Sequence, residues 1–67
     1  MRPETAAALY DMSQAADRIV EATRGKDFND YQGDWYFQSA VERQFEILGE
    51  ALARIRDLER PIFEQIP

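Results

Sequence analysis

The 67-residue sequence contains no cysteine and no histidine. Without cysteine, neither a disulfide framework nor a thiolate metal site can supplement a small hydrophobic core. Without histidine, the chain cannot perform histidine-based acid–base catalysis or build any of the common zinc sites. Stability must therefore come from the packing of apolar side chains, and a chain of this length buries little apolar area unless it associates.

Positive charge is also scarce, since 8 lysines and arginines face 13 aspartates and glutamates and the net charge is −5. A surface of that sign does not favour nucleic-acid binding by this chain alone. No apolar run approaches the roughly 18 residues that a membrane span needs, and no signal peptide is visible. We therefore expect a cytoplasmic protein without membrane association and without strong RNA binding of its own.

Apolar residues recur at helical spacing throughout residues 35–56. Drawn at 100° per residue, they cover an arc about 160° wide, against the roughly 100° of an ordinary surface helix. One neighbouring helix cannot cover so wide an arc, so this helix should have at least two neighbours. The residues predicted to form its core or dimer face, called here the predicted face, are Phe37, Val41, Gln44, Phe45, Leu48, Gly49, Leu52 and Ile55.

A preceding helix is predicted for residues 1–24, because Pro3 suits the first helical position and Gly25 suits the residue after the last. Residues 26–34 are rich in turn formers, and Asp34 is the natural N-cap of the following helix. A short connector between two long helices indicates an antiparallel hairpin. The predicted fold class is therefore all-α: a two-helix hairpin with a short C-terminal turn, which forms a helical bundle by homodimerisation.

Three glutamates on the second long helix allow two interpretations. Glu42, Glu46 and Glu50 follow one another at intervals of one turn, and paired carboxylates can hold Mg²⁺ or act as acid and base. However, arginines lie on the same polar side, and Glu50 precedes Arg54 in the favourable i,i+4 order. The pattern therefore favours a solvated charged surface, with neither a metal nor a cofactor.

Two positions on the predicted face are unusual for an apolar surface. Gln44 is either a boundary residue whose amide reaches water or a buried amide that fixes the register of a helix–helix or dimer contact. Gly49 costs roughly 1 kcal/mol inside a helix, which leads us to expect a close helix approach at that turn.

Four aromatic residues cluster around the connector: Phe28, Tyr31, Trp35 and Tyr36. We expect them to plug the end of a helical bundle. The alternative is an exposed aromatic patch that binds a protein partner. A nucleic-acid stacking platform is disfavoured because few basic residues surround them.

Residues 40–43 (AVER) and 46–51 (EILGEA) resemble the second-helix signature of HepT-like proteins in the HEPN superfamily, A-V-x-R-x-x-E-I-I-G-E-A. The surroundings agree with this resemblance. Residues 2–4 (RPE) precede the first helix, Phe28 lies in the connector, and residues 63–67 (FEQIP) are similar to a family segment that ends in Ile-Pro-Trp. The resemblance extends over essentially the whole chain.

The resemblance implies an all-α bundle that dimerises and acts as a toxin, usually a ribonuclease. It also implies a possible partner, an antitoxin of the minimal nucleotidyltransferase (MNT) class. The family's active site is an arginine, four to six residues and then a histidine, commonly followed by tyrosine, at the dimer cleft. That motif lies beyond the segment that Pro67 matches, so no residue here inherits its roles.

We therefore expect residues 1–67 to form a single HepT-like helical domain, the N-terminal half of the family fold. We expect the chain to be shortened before the ribonuclease motif, to lack catalytic residues, and to serve as a dimerisation module. The alternative is an unrelated small α-helical adaptor or regulator that oligomerises without enzymatic activity and matches the signature by coincidence.

Overall fold

A computed structural model describes the whole chain, Met1–Pro67, as four helices without a strand. The helices are α1 (Pro3–Thr23), α2 (Phe28–Gln32), α3 (Trp35–Leu58) and α4 (Arg60–Phe63). The prediction of an all-α chain is confirmed. Helix α1 packs along α3, whereas α2 and α4 pack on α3 alone, so α3 is the element that every other helix contacts. No helix combines the length and the apolar character needed to cross a membrane.

The helix ends follow local chemistry. Pro3 begins α1, and Gly25 follows its C-terminus with a φ of 71°, a left-handed conformation that glycine adopts without steric cost. The carboxylate of Asp34 accepts a hydrogen bond from the amide of Phe37 and caps α3 as predicted. Helix α3 is two residues longer than the predicted 35–56.

The connector is not the simple turn that its composition predicts, because it contains α2. Asp27 accepts from the amide of Asp30 at 2.9 Å, and Asp30 accepts from the amide of Asp27 at 3.0 Å. This reciprocal pair is a capping box, which satisfies two amides at the start of a helix. Composition alone predicts that Asp27 and Asp30 form a turn, but their spacing of three residues favours a helix start.

Contacts between the two long helices show that they run in opposite directions. Near the start of α1, the amide of Arg2 donates to the Glu59 carboxylate that follows α3. Further along, Arg54 on α3 forms an ion pair with Asp11 on α1 at 2.9 Å. Arg54 therefore pairs across the helices, and the predicted pairing with Glu50 within α3 does not form.

Small side chains make up four of the six most buried residues of the helix pair, and Val41 and Ile55 are the two larger ones. Because Asp11 is level with Arg54, Ala15 lies one turn further along α1, close to the level of Ala51 on α3. Small side chains at such positions let two helix backbones approach each other. The fully or almost fully buried residues are Thr5, Ala8, Ala15, Val41, Ala51 and Ile55.

The molecule is elongated and exposes more surface than a compact domain of its size. Its radius of gyration is 13.9 Å, whereas a compact domain of this length has about 11 Å. Its accessible surface is 4945 Å², against about 4,400 Å² for a folded monomer of the same mass. The excess surface means that larger apolar side chains beside the alanine contact remain partly in water.

Glu59 links the end of α3 to the start of α1, at the end of the helix pair opposite the connector. One of its oxygens accepts from the Arg2 amide at 2.6 Å and from the buried Thr5 hydroxyl at 2.9 Å. The Arg2 amide contributes most to lowering the pKa of Glu59; the Thr5 hydroxyl and the nearby positive charges act in the same direction against partial desolvation. The folded chain therefore stabilises the ionised form of this carboxylate.

We predict that Glu59→Gln lowers the thermal unfolding midpoint at about pH 7 and that this difference becomes smaller as the solution is acidified. The pKa of Glu59 is lower in the folded chain than in the unfolded chain, so the carboxylate stabilises the fold above its unfolded pKa. That contribution is lost as the pH falls through the folded pKa. Circular dichroism melts across this range measure the effect, with Glu64→Gln, an exposed residue without a side-chain bond, as the control. Equal midpoints for the two variants at neutral pH would contradict the assignment.

Candidate self-association face

The predicted face does not have one environment along α3. Helix α1 covers its middle, while one margin stays open to solvent. Phe45, at one margin of the predicted arc, is 55% exposed, and Gly49 is exposed as well. Val41 and Ile55 are buried, and Phe37, Gln44, Leu48 and Leu52 are partly buried.

The ion pair between Asp11 and Arg54 identifies which side of the helix pair is open. Phe45 precedes Arg54 by nine residues, which turns it about 180° around α3. Val20 follows Asp11 by nine residues and is turned about 180° around α1 in the same way. Because Asp11 and Arg54 meet on one side of the helix pair, Val20 and Phe45 lie on the other, where Val20 is 58% exposed.

These positions define an open surface, here called the apolar flank. The antiparallel register set by Asp11 and Arg54 puts Val20 level with Phe45, and Ala16 level with Gly49. Two larger side chains therefore stand beside two small ones on the same surface. The apolar flank consists of Leu9, Ala16 and Val20 on α1 and of Phe45, Gly49 and Leu52 on α3.

The contribution of α1 is missing from the predicted face, which lists residues of α3 alone. The sequence does carry the signal, because Val20 lies beside a seam of residues that recur at helical spacing on the first helix: Leu9, Met12, Ala16, Ile19 and Thr23. What it does not show is which edge of that seam the second helix leaves uncovered. That depends on which sides of α1 and α3 face each other. The ion pair between Asp11 and Arg54 shows this in the structure.

Gln44 has a buried amide oxygen, and no donor in the chain reaches it. An acceptor that is shielded from water and unbonded costs about 1–3 kcal/mol. The interpretation of Gln44 as a boundary residue whose amide reaches water is therefore wrong for the amide oxygen, Oε1. The alternative interpretation, a bond across a helix seam, is not fulfilled within this chain either.

Glu42, Glu46 and Glu50 are exposed, as expected for a solvated charged surface. Glu46 forms an ion pair with Arg43 at 3.3 Å, and Glu42 accepts a long hydrogen bond of 3.4 Å from the Tyr31 hydroxyl. No group of three or more acidic residues in the chain is arranged to hold a metal ion.

The prediction that the connector aromatics plug the end of the bundle is wrong for three of the four. Phe28, Trp35 and Tyr36 are 71%, 67% and 71% exposed. Tyr31 alone packs inward, with its ring edge-on to Phe37 at a centroid distance of 5.6 Å. In the register of the hairpin, the first two turns of α3 extend beyond the end of α1, so only the five-residue α2 is available to cover them.

Comparisons with known proteins point to one family. The family model of HepT-like proteins, described as "Ribonuclease HepT-like", matches residues 12–64. A protein of Methanocaldococcus jannaschii named "Putative RNase MJ1380" is 34% identical over 61 residues. That alignment covers 91% of this chain and 56% of the relative, so the chain spans little more than half of the relative's length. No solved structure matches the chain.

The expectation that a helix packs closely on Gly49 is wrong within the chain. A Cβ atom built on Gly49 meets no other atom within 4 Å. Gly49 lies at the margin of the arc, beyond the reach of α1, and it is not in the alanine contact.

We therefore predict that Gly49→Ala raises the stability of the single chain by about 0.5–1 kcal/mol, the gain in helix propensity from glycine to alanine, when the sample is dilute enough for the chain to be monomeric. Urea denaturation followed by circular dichroism measures the difference. Ala40→Gly, at an exposed position of the same helix, should show a loss of similar size. A clear decrease in the stability of Gly49→Ala would mean that another backbone packs on this turn.

Proposed function

Because this chain belongs to the HepT-like family of ribonucleases, we propose that it provides the dimerisation module of a HepT-like toxin. The family match runs through α2, α3 and most of α1, so the alternative of an unrelated adaptor with a coincidental signature is wrong. The proposed role is assembly: two copies associate through the apolar flank to complete a helical bundle.

The exposed apolar flank is the observation that carries this proposal. Val20 and Phe45 are more than half exposed, although burying such a side chain contributes roughly 1.5–3 kcal/mol. The surface in excess of a compact monomer is several hundred Å². A typical stable interface removes about 800 Å² from each partner, which is the same order of magnitude.

A second copy of the chain suits this surface for a geometric reason. In a twofold-symmetric dimer the same patch meets itself, so each protruding residue of one copy needs a depression on the other. Val20 and Phe45 each protrude one turn away from a small residue, Ala16 and Gly49 respectively, and the space beside Gly49 is free. The apolar flank therefore offers both halves of a self-complementary contact.

We propose further that these 67 residues contribute assembly and not catalysis. The family motif pairs an arginine with a histidine, and the sequence has no histidine. Family membership also motivates a second partner, an MNT-type nucleotidyltransferase antitoxin. This partner rests on membership alone, and we assign it no surface.

The purified chain should neither cleave nor appreciably bind RNA at physiological salt, because it has no histidine and its net charge repels phosphate. Labelled single-stranded RNA, incubated with the chain and resolved on a denaturing gel, measures cleavage, and filter binding measures association. Cleavage that co-purifies with the chain and disappears in Glu46→Gln or Glu50→Gln would contradict the proposal and indicate carboxylate chemistry.

Phe45→Asp should shift the chain from dimer to monomer, because each copy would bury an unpaired charge in the contact. The dissociation constant of the dimer should rise at least about tenfold. Multi-angle light scattering measures the mass. Tyr10→Asp is a matched control: it adds the same charge at a residue 63% exposed, whose hydroxyl bonds to Gln14. A wild-type monomer, or equal weakening in both variants, would contradict self-association through the apolar flank.

A further inference from the structure

The exposed connector aromatics play no part in the proposed self-association. Trp35 and Tyr36 lie in the first turn of α3, and Phe28 begins α2, at the end of the hairpin where α1 no longer covers α3. The Trp35 and Tyr36 rings stack on each other at a centroid distance of 4.0 Å and an interplanar angle of 23°. The pair thus presents a broad aromatic surface to solvent.

Three carboxylates accompany these rings along the connector. Asp27, Asp30 and Asp34 each use one oxygen to cap a helix amide, at 2.9, 3.0 and 3.1 Å. The second oxygen of each accepts no hydrogen bond within the chain. None of the three lies within 4.0 Å of a lysine or arginine nitrogen, whereas five other acidic residues of the chain are paired.

Side-chain hydrogen bonds hold both ends of α2 within the connector. The side-chain amide of Gln38 donates to the backbone carbonyls of Tyr31 and Gln32 at 2.9 and 3.0 Å, which fixes the end of α2 to the first turn of α3. The capping box fixes the other end of α2. Surface groups that are already held in place lose less entropy when a partner binds.

We propose that this connector surface, formed by Asp27, Phe28, Asp30, Asp34, Trp35 and Tyr36, docks a cationic segment of a partner protein. Arginine and lysine side chains are attracted to the faces of tryptophan and tyrosine rings, and free carboxylate oxygens supply the complementary charge. The inference is independent of the self-association proposed above, because it uses neither the apolar flank nor any of its residues.

Charge distinguishes this occupant from two others. Phosphates of a nucleic acid would approach three carboxylates accompanied by one lysine, Lys26, within residues 26–36, so stacking on the rings would be opposed electrostatically. A second copy of the chain would bring the same three carboxylates to a connector–connector contact. A cationic peptide is repelled by neither feature.

Trp35 is the only tryptophan of the chain, so its fluorescence reports on the connector surface alone. Titration of the full chain with a hexa-arginine peptide should shift or quench Trp35 emission in a saturable way, while a hexa-serine peptide should have no effect. The effect should weaken with added salt, because exposed charges are screened.

The decisive variant carries Asp27→Asn, Asp30→Asn and Asp34→Asn. Asparagine caps helices about as well as aspartate, so the variant removes three charges and keeps the fold. Its matched control carries Asp17→Asn, Glu50→Gln and Glu64→Gln, three acidic residues without a hydrogen bond or ion pair in the chain. We expect peptide affinity to fall at least about tenfold in the first variant and less than threefold in the control.

Tyr36→Ser provides an independent reading, since it removes half of the stack and no charge, and should weaken binding as well. Equal weakening in the two charge variants would overturn the proposal, because it would show attraction to net charge alone. A saturable response to oligouridine would overturn it in favour of RNA. A change in Trp35 emission with chain concentration that persists in Phe45→Asp, without peptide, would overturn it in favour of a second copy at the connector.

Discussion

The close contact of α1 and α3 through small side chains is the constraint on which the rest of the structure depends. Alanines at positions 8, 15 and 51 fill the centre of that contact. Because alanine side chains are short, the helices can approach closely, but little apolar area is removed from water per residue. Apart from Val41 and Ile55, the larger apolar residues lie beside this contact, and α1 alone leaves them partly in water. Incomplete burial is thus a consequence of how the hairpin is packed.

The same constraint explains why the two open surfaces differ in character. Beside the alanine contact, the apolar flank is open along the middle of α3, and its residues there are apolar apart from Gly49. Beyond the end of α1, α3 has only α2 for cover, and the exposed groups there are aromatic rings with carboxylates. We propose a second copy for the first surface and a cationic segment for the second. The two proposals use separate parts of one helix, so both partners could bind at once.

Much of the fold could be predicted from sequence because local signals determine it. Pro3, Gly25 and Asp34 mark helix ends by chemistry that acts within a few residues, and the structure confirms each of them. The sequence predicts less well which residues around α3 are buried and which are exposed. Periodicity identifies the apolar arc of α3, yet it cannot show how much of that arc α1 covers, nor that Phe45 and Gly49 at one margin stay open. Likewise, apolar character alone led us to expect buried aromatics at the connector, because the register that ends α1 short of α3 is a tertiary property.

The central claim is that this helix pair reaches full stability only when a second copy covers the apolar flank. Thermal unfolding followed by circular dichroism over about a 100-fold range of chain concentration tests it most directly, because association linked to folding makes the midpoint depend on concentration. We expect the unfolding midpoint to rise steadily with chain concentration. A cooperative transition at the same temperature throughout that range would contradict it.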